Sequence, residues 1–199
     1  MGEQLILASA SPTRKKLLAD AGLEVQVEPA QVDEETTKRI FKADRRAVAD
    51  CALALAEAKA QQVARGHQHA IVVGADQILV CGKIWFNKPA DLAGARAQLQ
   101  ALRGRTHSLV TAVCVVRGAV KLWHTVVSAK LTMRDFSDAF LDAYLGAEQA
   151  AILESVGGYR IEGRGIHLFA GIKGDYFAIL GLPLFELLSF LRSRGVFTS

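Results

Sequence analysis

A chain of 199 residues that is 51% hydrophobic and 22% charged has a globular composition, which excludes a disordered segment and allows one buried core, split at most into two lobes. A formal net charge of +4 admits an anionic partner, but it is equally the charge of an ordinary solvated basic surface. The richest basic patch, residues 38–46, is interrupted by Ile40, Phe41, Ala43 and Asp44, which argues against nucleic acid as a partner.

Residues 4–8 form a short apolar run that reads as a strand, followed by a loop in which Ser11 is placed to cap a helix and Pro12 suits its first turn. Leu17, Leu18 and Ala21 share one face of that helix, and Gly22 stops it. Residues 24–28 alternate polar and apolar as a strand does. Asp44 reads as the cap of a long helix in which Val48, Cys51, Leu55 and Ala58 recur at helical spacing. Residues 70–73 predict a buried strand that gives way to polar residues at Gly74, with a turn near Cys81-Gly82-Lys83. Residues 90–102 predict a helix with Leu92, Ala95, Leu99 and Leu102 inward. Residues 108–116 and 120–133 are β-rich runs joined as a hairpin at Arg117-Gly118. A short helix over 136–145, a glycine-punctuated strand pair over 157–169 and a closing helix over 184–194 complete the chain. Crossovers mixed with hairpins predict an α/β fold with a mixed sheet, in a single domain over residues 1–199.

Cys51, Cys81 and Cys114 are odd in number and show no CxxC spacing, so they read as reduced thiols in a reducing compartment. The first residues lack a basic signal-peptide region, and the apolar stretch 177–191 is broken by Pro183 and Glu186. The expectation is a soluble, cytoplasmic protein with no membrane partner.

No GxxxxGK[ST] and no strand-linked GxGxxG occurs, and His67 and His69 are poorly spaced for a helical metal pair. Three segments place ionisable groups where strands end. Ser9 to Lys16 sets hydroxyls, backbone N–H groups and Arg14 at a helix N-terminus, which suits an anion and equally suits a plain capped helix. Val72 to Gln77 places Asp76 at the C-terminal edge of an apolar strand, and the turn at 81–83 can return Lys88 beside it. Such a carboxylate and lysine are either a structural ion pair or a metal ligand with a phosphate-facing cation. The glycines of residues 157–163, 174 and 181 imply tight turns or close approach of a ligand to backbone.

In these segments the sequence resembles the Maf family of nucleotide pyrophosphatases, also called septum-formation inhibitors. The likeness runs from Leu5-Ile6-Leu7-Ala8-Ser9-Ala10-Ser11-Pro12 through Val32-Asp33-Glu34, Glu57-Ala58-Lys59-Ala60, Gly74-Ala75-Asp76-Gln77, Asn87-Lys88-Pro89 and Gly104-Arg105-Thr106-His107 to Gly181-Leu182-Pro183-Leu184. It implies a twisted mixed sheet flanked by helices, with two lobes around a cleft as in Maf and ITPase proteins, assembled as a homodimer. It also implies cleavage of a nucleoside triphosphate between the α- and β-phosphates, dependent on a divalent metal, Mg²⁺ or Mn²⁺. By position, Asp76 matches the family's catalytic acid and proton acceptor, Arg14, Lys59 and Lys88 its phosphate-facing cations, Glu34 its acidic residue near the metal, and Ser9 its loop serine. Asp76 and Glu34 are thus the implied metal-facing pair, and Asp76, Lys88 and Glu34 the implied catalytic group.

Thr13, Gln77 and Glu162 depart from the commoner family pattern at positions tied to base choice. The Gln/Glu combination is similar to the subfamily acting on 7-methyl-GTP, although that subfamily has tryptophan where this chain has Thr13. A carboxylate at Glu162 can accept from both the N1–H and N2–H₂ groups of guanine, which predicts a guanine-like base. The alternatives are a dTTP/UTP pyrophosphatase and a nucleotide-binding regulator of septum formation.

Overall fold

The computed structural model describes residues 4–196. In chain order the elements are β1 (Leu5–Leu7), α1 (Pro12–Asp20), β2 (Gln26–Val27), α2 (Glu34–Ala43), α3 (Val48–Ala64), β3 (Ile71–Cys81), β4 (Ile84–Phe86), α4 (Leu92–Leu102), β5 (Thr106–Arg117), β6 (Val120–Met133), α5 (Asp138–Glu148), β7 (Phe169–Lys173), α6 (Tyr176–Ile179) and α7 (Leu184–Ser193), with 3-10 turns at Gln149–Glu154 and Arg164–Leu168. The sheet is mixed, in the order β2-β1-β3-β5-β6-β7 with β4 paired to β3, and helices flank it, as expected.

The chain forms two compact units. The first comprises Met1–Gln77, Val110–Val127 and Asp175–Ser199; the second comprises Ile78–Leu109 and Ser128–Gly174. In the first, β1 runs parallel to β2 and β3, with Ile6 opposite Gln26 and Val72. Leu7, Leu18, Ile71, Val73, Val113, Leu182, Leu187 and Leu191 share its core. These residues follow the strand period of 2 in the sheet and the helix period of 3.6 in α1 and α7, so one apolar face of each element meets the others. In the second unit β4 is antiparallel to the end of β3, with Leu79 opposite Phe86, and β7 is antiparallel to the end of β6, with Leu131 opposite Ile172.

Local chemistry differs from the sequence reading in three places. Asp44 does not cap the long helix: it is the C-cap of α2, and α3 starts from Ala47 without a side-chain cap. The reason is that α2 carries its own complete signals, with Asp33 capping through Thr36 N, Glu34 and Glu35 in the first turn and Lys42 in the last. Arg45, at φ +53°, then breaks the chain between the two helices. The strand expected to end at Val73 continues to Cys81, because burial persists through Gly74, Ala75 and Asp76. Asp76 therefore sits mid-strand, although the parallel ladder with β1 has already finished at the Leu7–Val73 pair. Residues 157–169 are not a strand pair: Gly157 and Gly158 have φ of +84° and +69°, and turns and a 3-10 segment follow until β7 begins at Phe169. Left-handed glycines in succession cannot sustain a pleat.

Candidate active site

α1 begins with Ser11 in extended conformation, its Oγ accepting from Arg14 N at 3.3 Å, and Pro12 at the first helical position. This cap aims Arg14 back across the first unit. Its Nε donates to Gly181 O at 2.7 Å, and Nη1 donates to Ser9 Oγ and to Ala75 O, each at 3.0 Å. A guanidinium has five N–H donors, and these three bonds fix the group. Burial lowers the Arg14 pKa, while Asp76 and Glu34 act to raise it. Ser9 is buried, and its hydroxyl also accepts from Ser11 N at 3.3 Å.

β3 and α3 lie in close contact at Gly74. A Cβ there would stand 2.1 Å from Ala56 O and 2.8 Å from Ala60 N. Only a residue without a side chain allows this approach, and it sets Lys59 of α3 against Asp76 of β3. Lys59 Nζ lies 2.6 Å from Asp76 Oδ1 and 2.6 Å from Glu34 Oε1, so one ammonium bridges two carboxylates. Glu34 Oε2 is 3.5 Å from Nζ of Lys38, one turn further along α2. Lys59, Lys38 and Asp76 are all buried. Asp76 Oδ2 is buried with no hydrogen-bond partner.

The two carboxylates are driven apart electrostatically. Burial pushes the Asp76 pKa above its ordinary value; Lys59 opposes this and Glu34 reinforces it. Burial also acts to raise Glu34, but Lys59 and Lys38 together outweigh it, and Glu34 ends below the usual carboxylate range. Pairs separated in this way mark acid–base sites. An unpaired carboxylate oxygen beside a second carboxylate is also the small hard-oxygen set that Mg²⁺ and Mn²⁺ accept when phosphates and water supply the remaining ligands, so the residues fit a cation that binds together with a triphosphate.

Lys88 is exposed, and its Nζ meets Glu154 Oε2 at 3.3 Å; the cation beside Asp76 is Lys59. Glu162 lies in a turn of the second unit and accepts from Arg160 Nε at 3.4 Å. Gln77 follows Asp76 in β3 and so points to the opposite face. Its amide nitrogen donates to Thr111 Oγ1, Ala178 O and Ile179 O at 2.8, 2.9 and 3.1 Å. Thr13 is half-buried in the first turn of α1. Lys38 was not among the expected residues, although its i,i+4 spacing from Glu34 was visible.

Among the described residues no helix is long and apolar enough to cross a membrane. The three cysteines are buried and free, with burial pushing the Cys51 and Cys114 thiols up to about 11 and about 12.

The family model described as Maf-like protein matches residues 4–194. A nucleoside triphosphate pyrophosphatase of Paramagnetospirillum magneticum is 50% identical over 96% of this chain and 98% of its own length. The 7-methyl-GTP pyrophosphatases of Rhizobium meliloti and Mesorhizobium japonicum are 47% and 48% identical, over 96% and 98% of this chain and 96% and 98% of theirs. Relatives bearing the general and the methyl-guanine names thus differ by only two or three percentage points, and overall identity does not separate them. With motifs, site and full-length similarity in agreement, the chain belongs to the Maf family.

Proposed function

We propose that this protein hydrolyses the α–β phosphoanhydride of nucleoside triphosphates to a monophosphate and pyrophosphate, with guanine-like and methylated bases preferred, as a cytoplasmic homodimer that clears unwanted nucleotides. The observation that carries the reaction is the Lys59 bridge between Glu34 and Asp76, with Asp76 Oδ2 buried and unpaired. Names of relatives at 47–50% identity agree with it.

Asp76 serves as proton acceptor for the attacking water, since burial makes its carboxylate a stronger base than an exposed one. Glu34, kept ionised by Lys59 and Lys38, holds Lys59 in place. Arg14 turns its Nη2 donors to the phosphates, pre-set by Ser9 and two backbone carbonyls, and Lys59 and Lys88 supply further positive charge. A divalent cation, Mg²⁺ or Mn²⁺, held by Asp76 and Glu34 would neutralise phosphate charge as it builds. Thr13, Gln77 and Glu162 select the base; Glu162 contributes only acceptors, which suits the adjacent donors of guanine. Homodimerisation, the cytoplasmic location and the single functional domain over 1–199 rest on the family resemblance.

The test is pyrophosphate release over ATP, GTP, 7-methyl-GTP, CTP, UTP and dTTP, with and without chelator, using Asp76→Asn as control. The expected result is metal-dependent pyrophosphate release, a loss of about 10²–10⁴-fold in Asp76→Asn, and an acid limb of kcat/KM above the ordinary carboxylate value of 3.8. No release from any substrate rejects the reaction; dTTP and UTP outpacing the guanine nucleotides rejects the specificity.

A further inference from the structure

Three of the four oxygens of the acidic pair are already held by ammonium groups. Asp76 Oδ1 and Glu34 Oε1 each lie 2.6 Å from Lys59 Nζ, and Glu34 Oε2 lies 3.5 Å from Lys38 Nζ. Both lysines are 8% exposed, so neither side chain swings freely into solvent. The fourth oxygen, Asp76 Oδ2, is buried and unpartnered in a residue only 3% exposed. Among the described residues no group of three or more His, Cys, Asp or Glu side chains could hold a metal ion.

A hard divalent cation needs about six oxygen ligands, and Mg²⁺ parts with its waters reluctantly. Two carboxylates, one free oxygen between them, fall well short of that number. The local charge does not favour a cation either: two carboxylates face two lysines, and Arg14 acts on both carboxylates as well, so an added cation meets no net attraction. A triphosphate changes both conditions. It brings further oxygen ligands for the cation and several negative charges for the lysines.

Resting on the pyrophosphatase reading, we propose that Lys59, supported by Lys38, is a built-in counterion that holds the metal-facing carboxylates closed until the metal arrives already bound to the triphosphate. Lys59 then exchanges carboxylate for phosphate. The same lysine both suppresses metal binding in the absence of nucleotide and promotes turnover in its presence. These two effects have opposite signs when Lys59 is removed, and a merely structural lysine does not produce that pairing.

The experiment measures binding of Mn²⁺ alone to the full chain, by the loss of the free-ion electron paramagnetic signal, for wild type, Lys59→Met and Lys38→Met. Wild type is expected to bind Mn²⁺ weakly without nucleotide. Lys59→Met should bind it at least tenfold more tightly while losing at least 100-fold in turnover, and Mn²⁺ should raise the melting temperature of Lys59→Met more than that of wild type. If Lys59→Met does not fold, Lys38→Met, which keeps the Lys59–Asp76 pair, carries the test and should bind Mn²⁺ several-fold more tightly than wild type. Micromolar binding of Mn²⁺ alone by wild type, or unchanged or weaker binding in the folded variants, overturns the proposal. Absence of pyrophosphate release by wild type would reject the enzymatic reading instead, so the two failures are distinguishable.

Discussion

Gly74→Ala is the sharpest single test of how this site is assembled. The added methyl would stand 2.1 Å from Ala56 O, 2.8 Å from Ala60 N and 2.9 Å from Ala60 Cβ, whereas ordinary contact begins at 3.4 Å. The first two atoms are backbone of α3, so no rotamer change relieves the clash; the helix must retreat from β3 by about 1.3 Å. Lys59 adjoins Ala60 on that helix, and a retreat of this size takes its 2.6 Å contacts with Asp76 and Glu34 beyond hydrogen-bonding reach. Overpacking of this kind costs about 2–3 kcal/mol, which lowers Tm by roughly 4–12 °C for a chain of this length. A displacement near 1 Å in a positioning group costs about 10²-fold in rate. Thermal melting by circular dichroism and pyrophosphate release on the same sample read both effects. A variant that melts within about 1 °C of wild type and turns over at the wild-type rate would refute the claim that this glycine sets the distance between α3 and Asp76.

Arg14→Lys keeps the charge but cannot supply three directed donors to Gly181 O, Ser9 Oγ and Ala75 O. It should lower stability by about 2 kcal/mol and raise KM, measured by melting and steady-state kinetics. Burial holds His107 neutral, its pKa lowered to about 4 from 6.5, while the unfolded chain takes up the proton near the ordinary value. The unfolded state therefore binds more protons between those two values, and stability falls as pH drops through that window, by on the order of 3 kcal/mol. Melts at stepped pH should show a shallower acid slope in His107→Gln than in wild type. Glu162→Gln adds a donor where only acceptors stood, and should reduce the ratio of GTP to UTP turnover by about tenfold, read on the same nucleotide panel.

Much of the site was legible from residue order. Ser11-Pro12 announced a capped helix start with Arg14 in its first turn, and the structure has that helix and cap. The β-rich runs that form β5 and β6 and their turn at Gly118 also follow the sequence reading. Asp76 was visible as a carboxylate in an apolar strand, but its immediate cation was not. The return of the chain at 81–83 drew attention to Lys88; within its own unit Asp76 is met by Lys59, which shares the buried face of α3 with Cys51, Leu55 and Ala56. A lysine in an apolar helical stripe is a readable signal of a buried partner. Which partner it meets depends on how closely the helix approaches the strand.

Residue order by itself determined the strand and helix periods and the cap at Ser11, because these arise from interactions among near neighbours in sequence, and its ordered motifs determined the family. Only the tertiary structure decided that one ammonium spans Glu34 and Asp76, that Lys38 adds a second ammonium to Glu34, and that Asp76 Oδ2 is left unpaired. Those outcomes join residues 34, 59 and 76 across three separate elements, and their distances are set by packing, above all by the contact of Gly74 with α3. Burial, and with it the opposite displacement of the two carboxylate pKa values, exists only once that packing has excluded water.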